Sequence, residues 1–283
     1  MIVCPVRDMC PPSRSYLHPE QPKVLVLGGL DPSGAGLQAD IETCLALGCH
    51  AMPIATAVTV QNTRGLANVV EIPADQVVTQ IRHLVADVQA VAACKIGAVP
   101  SLEMAIALRD LLLNWENRPT VILDPVLGAS AGGSLMTPDL VRVFSSVLLP
   151  LASLVKPNAI EAIEFAGEHE PLSAGARLST LTIGGYALLT GTDTSCDAQV
   201  THHLFRNGSL FAEFTWPRLS GSYHGTGCTL TSAIAALTAR GYGMESAVAR
   251  ALAYTYQTVR AAHSVGGAQL IPSRLVNYPA YAR

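Results

Sequence analysis

The chain has 283 residues, of which 49% are hydrophobic and only 14% charged, with a formal net charge of −3 at pH 7. That composition supplies apolar surface for a large core, and it lacks the basic footprint that nucleic acid or an anionic membrane surface requires. No apolar run reaches the length needed to span a bilayer.

The first 22 residues, MIVCPVRDMCPPSRSYLHPEQP, have no continuous hydrophobic stretch and are interrupted by prolines. They read as an extended tail and a poor secretion signal, ahead of one domain spanning 23–283 in a cytoplasmic protein. From Lys23 the pattern is regular. Lys23-Val-Leu-Val-Leu-Gly28 predicts a short buried strand, and 35–47 has helical spacing. A second apolar, β-branched stretch covers 51–60. A helix is expected over 74–88, opened by Pro73 and Asp75. Cys94-Lys-Ile-Gly97 ends a strand, 102–113 is an amphipathic helix, and 120–124 is a buried strand closed by Pro125.

Leu154-Val-Lys-Pro157 is a short strand that hands over to a helix near Asn158, and Tyr186-Ala-Leu-Leu-Thr190 ends at Gly191. Two strand-like runs flank Asn207-Gly208, a hairpin signal. Helices over 226–239 and 244–263 finish the chain. Strands alternating with helices imply right-handed crossovers and a mostly parallel sheet covered on both faces, an α/β fold. In such a sheet ligands bind beyond the carboxyl ends of the strands. That rule gathers Gly28–Gly36, Gln61, Gly97, Asp124, Lys156–Glu161 and Gly191 into one region.

Tyr223-His-Gly-Thr-Gly-Cys-Thr-Leu230 is a glycine-rich turn opening an alanine-rich helix. Free N–H groups at a helix start, with the dipole behind them, form an anion site, and Gly225, Thr226 and Gly227 would carry it. Cys228 follows at the same helix start. A thiol there is expected to have a lowered pKa and to accept a substrate proton; from the residues alone, a packed thiol is an equal reading. The other six cysteines (Cys4, Cys10, Cys44, Cys49, Cys94 and Cys196) form no C-x-x-C pair and read as reduced, mostly buried thiols.

Gly28-Gly-Leu-Asp-Pro-Ser-Gly-Ala-Gly36 is neither G-x-G-x-x-G nor a Walker A loop, so it reads as a tight turn lining a small-molecule pocket. Asp40 stands one turn into the following helix, facing that pocket or solvent. The Gln61 amide offers a donor and an acceptor to an aminopyrimidine edge, or simply meets water. Asn158 and Glu161, three apart at a helix start, either organise a hydrated Mg²⁺ or form a capping box. Asp124 adds negative charge for the same metal.

Taken in order, five of these segments resemble the ribokinase-like family, and within it the hydroxymethylpyrimidine/phosphomethylpyrimidine kinases. They are Gly29–Asp40, 56–65 with Gln61-Asn-Thr-Arg-Gly65, Asp124-Pro-Val126, Pro157-Asn-Ala-Ile-Glu161 and His224-Gly-Thr-Gly-Cys-Thr-Leu230. The resemblance implies a three-layer α/β/α sandwich. It also implies phosphorylation by ATP and Mg²⁺ of 4-amino-5-hydroxymethyl-2-methylpyrimidine and then of its monophosphate, for thiamine biosynthesis. Gly29, Asp40, Gln61 and Val126 would surround the pyrimidine. Gly225–Cys228 would perform the transfer, with cysteine in place of the aspartate most ribokinase-like enzymes carry. Asn158, Glu161, Thr190 and Gly191 would bind the nucleotide, and Asp124 and Glu161 the metal. The implied partner is a small aminopyrimidine, with no nucleic acid or membrane; a homodimer stays open.

Three segments depart from the family pattern. The first loop is one glycine shorter than Pro-Ser-Gly-Gly-Ala-Gly, Thr190-Gly-Thr192 replaces a frequent Lys-Gly-Gly, and Ser130-Ala-Gly-Gly133 replaces a frequent Lys-Ser-Gly-Asp. A pyridoxal kinase of the same fold, or a pyrimidine-binding regulatory module without transfer chemistry, are the alternatives.

Overall fold

The computed structural model describes residues 21–88, 90–128, 137–191 and 198–276. All but the last two residues of the tail read over 1–22, the Ser130–Gly133 segment, Thr192, and Cys4, Cys10 and Cys196 lie outside the described residues.

β1 (Lys23–Leu30) is buried along nearly its whole length, as expected of a strand covered on both faces. It leads into α1 (Gly36–Ala46), and β2 (His50–Asn62) returns parallel to β1. β3 (Gly65–Glu71) folds back antiparallel on β2 at the sheet edge. Next come α2 (Ala74–Asp87), β4 (Ala93–Ile96), α3 (Leu102–Leu113) and β5 (Thr120–Leu123). α4 (Pro138–Val147) starts on an N-capping Thr137, whose hydroxyl accepts from Leu140 N–H, with Pro138 in the first turn. β6 (Leu154–Val155), α5 (Ala159–Ala166), α6 (Pro171–Leu181) and β7 (Tyr186–Leu189) follow.

The hairpin of β8 (Gln199–Arg206) and β9 (Ser209–Pro217) turns through Asn207 and Gly208, at φ 48° and 81°, the two left-handed residues a tight hairpin needs. α7 (Thr226–Ala239), α8 (Met244–Arg260) and the two short strands β10 (His263–Ser264) and β11 (Leu270–Ile271) complete the fold.

The main sheet runs β3-β2-β1-β4-β5-β6-β7-β8-β9, with β2 through β7 parallel and β3, β8 and β9 antiparallel. α2–α6 cover one face through a core that includes Leu108, Phe144, Phe165 and Leu178. α1, α7 and α8 cover the other, through Leu37, Ile234, Val248 and Leu252. This is the mostly parallel sheet covered on both faces that the alternating pattern implied, and the three-layer α/β/α sandwich that the resemblance implied.

One ladder detail positions the site. The residue after each central strand adds one more rung: Gly97 N–H donates to Leu27 O (2.8 Å), Asp124 N–H to Ile96 O (2.8 Å) and Lys156 N–H to Leu123 O (2.9 Å). Asp124 and Lys156 are therefore fixed side by side at the carboxyl end of the sheet. α7 begins above that end. Among the described residues no helix is long and apolar enough to cross a membrane.

Candidate active site

A cavity of about 520 Å³ opens at the carboxyl ends of the strands. Gly29, Gln61, Val126, Asp124, Asn158, Glu161, Thr190 and Gly191 line it, as do Gly225, Thr226, Gly227 and Cys228. The topology thus brings together every residue to which the resemblance gave a site role except Asp40.

The floor is the start of α7. Its N-cap, Gly225, has φ 83°, and a Cβ there would lie 2.5 Å from Arg274 Nη2 and 2.7 Å from Gly34 O. Only glycine both adopts that conformation and allows so close an approach. The N–H groups of Thr226, Gly227 and Cys228 occupy the first turn, where no intrahelical acceptor exists, so they form an anion cradle. Among the described residues the buried Thr226 hydroxyl has no hydrogen-bond partner, consistent with a polar ligand beside it.

Two buried ion pairs grip α7 just behind the cradle. Lys156 Nζ lies 2.8 Å from Asp124 Oδ1, and Thr231 Oγ1 donates to Asp124 Oδ2 at 3.0 Å. Lys95 Nζ lies 2.8 Å from Asp40 Oδ2, and Ser232 Oγ donates to Asp40 Oδ1 at 2.6 Å. Burial works against the Lys95 ammonium, but the Asp40, Cys228 and Asp124 charges outweigh it and raise its pKa. Each pair is satisfied by further hydrogen bonds, the condition under which buried charge is tolerated.

These contacts revise two expectations. Asp40, expected against the pyrimidine, is fully buried behind Gly28 and does not line the cavity; its carboxylate holds Lys95 and α7. Cys228, expected to have a lowered pKa at the helix start, is instead pushed up by burial. Lys95 and a hydrogen bond from Gly36 N–H oppose that rise without cancelling it. Loss of solvation at this half-buried thiol, with the Asp40 and Asp124 charges adding to it, outweighs the helix-start effect.

Asn158 and Glu161 form a full capping box: Asn158 Oδ1 accepts from Glu161 N–H (2.9 Å), and Glu161 Oε2 from Asn158 N–H (2.8 Å). The Glu161 carboxylate nevertheless lines the cavity. Burial pushes its pKa up, with the Asp124 charge adding to that push and Lys156 opposing it. Among the described residues no three His, Cys, Asp or Glu side chains stand close enough to hold a metal alone. Two carboxylates on one cavity wall do fit Mg²⁺, which retains waters and takes further ligands from phosphates.

The substrate end carries a constellation that the sequence reading missed. His224 Nε2 lies 2.6 Å from Asp31 Oδ2 and 3.2 Å from Gln61 Nε2, with all three residues on the cavity wall. Burial works to raise the Asp31 pKa, but hydrogen bonds from His224 and from the Ser33 hydroxyl and N–H outweigh it and hold the carboxyl below its ordinary range. Both Asp31 and His224 sat inside the quoted motifs, but only their neighbours were read.

Arg274 was also missed, because it follows the last legible helix. It is 1% exposed and donates from Nη2 to Gly34 O (2.6 Å), from Nε to Thr229 Oγ1 (2.8 Å) and from Nη1 to Glu42 Oε2 (2.9 Å). It therefore ties the glycine loop and α1 to the first turns of α7. At the opposite end the cavity is apolar, lined by Val200, Trp216, Leu252, Tyr256 and Val259, with the Trp216 and Tyr256 rings stacked 4.9 Å apart.

Residues 31–272 match the family model described as phosphomethylpyrimidine kinase. A hydroxymethylpyrimidine/phosphomethylpyrimidine kinase of Streptomyces coelicolor is 36% identical over 252 residues, 87% of this chain and 91% of that protein. A phosphomethylpyrimidine kinase from Clostridium difficile superposes with a TM-score of 0.70 at 27% identity, covering 84% of this chain and 99% of that one. A pyridoxal kinase from Staphylococcus aureus, solved in complex with pyridoxal, gives a TM-score of 0.82 at 20% identity, over 92% of this chain and 96% of that one.

Proposed function

The chain belongs to the phosphomethylpyrimidine kinase family, and we propose on that footing that it phosphorylates a 5-hydroxymethyl-4-aminopyrimidine and then the resulting monophosphate, with ATP as donor, for thiamine biosynthesis. One observation carries this reading. The amide cradle of α7 and the Gln61–His224–Asp31 cluster line the same cavity, with Cys228 on the wall beside the cradle.

The pyrimidine ring lies between Gly29, Gln61 and Val126, where the Gln61 amide pairs with the amino edge of the ring. The His224 nitrogen that donates to Asp31 lies 3.2 Å from the Gln61 amide. The donor phosphates rest on the N–H groups of Thr226, Gly227 and Cys228, beside Asn158, Thr190 and Gly191. The adenine fills the apolar end by Trp216 and Tyr256. As the alcohol oxygen bonds to phosphorus and the bond to the ADP oxygen breaks, the hydroxyl proton passes to the Cys228 thiolate, the minor form of this raised thiol, and ADP leaves with the electron pair. Positioning and charge stabilisation in a closed cavity supply most of the rate. Glu161 and Asp124 would hold Mg²⁺, which neutralises phosphate charge when bound.

A coupled ADP-release assay on the pyrimidine alcohol, its monophosphate and pyridoxal tests this. The pyrimidine alcohol should exceed pyridoxal in kcat/KM by at least ~10-fold, the margin a buried hydrogen-bonding group gives between similar rings. Faster turnover of pyridoxal, or no ADP release with any acceptor, overturns it.

A further inference from the structure

The ammonium closest to the amide cradle belongs to a residue that the roles above do not use. Lys156 is 5% exposed, yet it contributes to the cavity wall. A Cβ on Gly227 would stand 3.1 Å from Lys156 Nζ, so the missing side chain at 227 lets the charge sit directly against the cradle. Among the described residues Asp124 is its hydrogen-bonding partner, which leaves N–H donors of the ammonium available to a ligand. Asp124, at 2.8 Å, and Glu161 are carboxylates on the same cavity wall.

Its neighbour in space is Thr190, where the family often carries a lysine. Thr190 N–H and Oγ1 both donate to the carbonyl of Pro157, at 3.0 and 3.3 Å, in the residue directly after Lys156. β6 and β7 are adjacent parallel strands, and Thr190 pairs with Asn158, two positions beyond Lys156 at the same end of the sheet. Lys156 and Thr190 both line the cavity.

We propose that Lys156 is a catalytic residue of this kinase: its ammonium contacts the non-bridging oxygens of the transferring phosphoryl group and supplies, from β6, the cation that position 190 lacks. The inference rests on the kinase reading above. Lys156 forms no bond and gives up no proton; the new P–O bond, the departing ADP and the proton moving to Cys228 balance without it. Its contribution is electrostatic, from a side chain that is itself almost wholly buried. Asp124 is then its counter-ion and keeps the ammonium fixed when no nucleotide is present.

The test begins with wild-type kinetics on the pyrimidine alcohol, because absence of ADP release there would sink the kinase reading and not this one. With wild-type activity in hand, Lys156→Thr should lower kcat by ~10²–10³-fold, the usual loss for one donor to transition-state charge. KM for the pyrimidine should change little. Thr190→Lys introduced into Lys156→Thr should then recover at least ~10-fold of the lost kcat at an unchanged melting temperature and unchanged KM, a rescue of turnover alone that a merely structural lysine would not show. If Lys156→Thr alone does not fold, the double variant decides, since it keeps a cation near Asp124: kcat within ~100-fold of wild type supports the proposal and a larger loss overturns it. A folded Lys156→Thr enzyme within ~10-fold of wild type, or no gain from Thr190→Lys, likewise overturns it.

Discussion

Replacing Cys228 with serine asks whether the sulfur accepts the proton of the alcohol or only fills space. Burial pushes this thiol up, and the Lys95 charge and the Gly36 N–H oppose that rise without cancelling it. A thiol raised above its ordinary range is overwhelmingly protonated at neutral pH, so the resting enzyme holds the S–H form. If the thiolate is the base, kcat/KM for the pyrimidine alcohol should climb by close to ~10-fold per pH unit between pH 7 and 8, tracking the thiolate of the free enzyme. Serine ionises far outside that range. Cys228→Ser should therefore lose the slope as well as ~10²–10⁴-fold in kcat, the usual contribution of a positioned base. The assay is coupled ADP release at saturating ATP, with melting curves to confirm that the variant is folded. A wild-type profile flat from pH 7 to 8, or a serine variant within ~10-fold of wild type, would refute the role of base and leave Cys228 as packing against the cradle.

Three further outcomes follow from the geometry. Gly225→Ala places a Cβ 2.5 Å from Arg274 Nη2 at a φ of 83°; it should cost about 1–2 kcal/mol, seen as a melting temperature lower by ~2–8 °C, with kcat falling more than melting implies. Unchanged melting and kinetics would contradict the tight packing. Gln61→Leu should raise KM for the pyrimidine by ~5–100-fold while KM for ATP stays within ~2-fold, because an unpaired polar edge on the ring costs about 1–3 kcal/mol; equal effects on both substrates would remove Gln61 from ring recognition. Burial pushes Cys49 up to about 11 and Cys94 up to about 12, with Arg240 and Lys95 respectively opposing. Their folded pKa values lie above the unfolded ones, so the stability they give is complete below ~8.5 and is lost as pH rises through the folded values. The melting temperature should accordingly fall from pH 8 to 10.5, and fall less in Cys49→Ala; a slope that this variant leaves unaltered would count against the reasoning.

How far the sequence could be read depended on how local each signal was. Helices α3 and α7 were legible to the residue because apolar spacing and a clear start, Ser101 for one and the glycine turn for the other, lie within the segment itself. α6 was missed. It carries Gly175, which lowers helix propensity, and the reason appears only in the fold: a Cβ there would meet the Phe205 ring at 2.5 Å. β3 was missed because it is a half-exposed edge strand entered through a turn without an Asn-Gly signature. At the site, glycine loops and single polar residues were visible as motifs. Their partnerships were not, since Asp40 meets Lys95 55 positions away and His224 meets Asp31 across 193. Asp40 illustrates the limit: helical spacing gave two faces to choose between, and a distant lysine decided the matter.

The anchoring of the glycine loop by Arg274 has a consequence for biosynthesis. Every other component of the cradle (the Gly34 carbonyl, Glu42, Thr229) precedes this residue in the chain, and the guanidinium that fastens them lies beyond α8. While that last segment is still inside the ribosome, the loop and the start of α7 meet through the His224–Asp31 pair but lack the three bonds of the guanidinium. A nascent domain would then have its sheet before it has a competent phosphate grip, and nucleotide capture would wait for the closing stretch of the polypeptide to emerge.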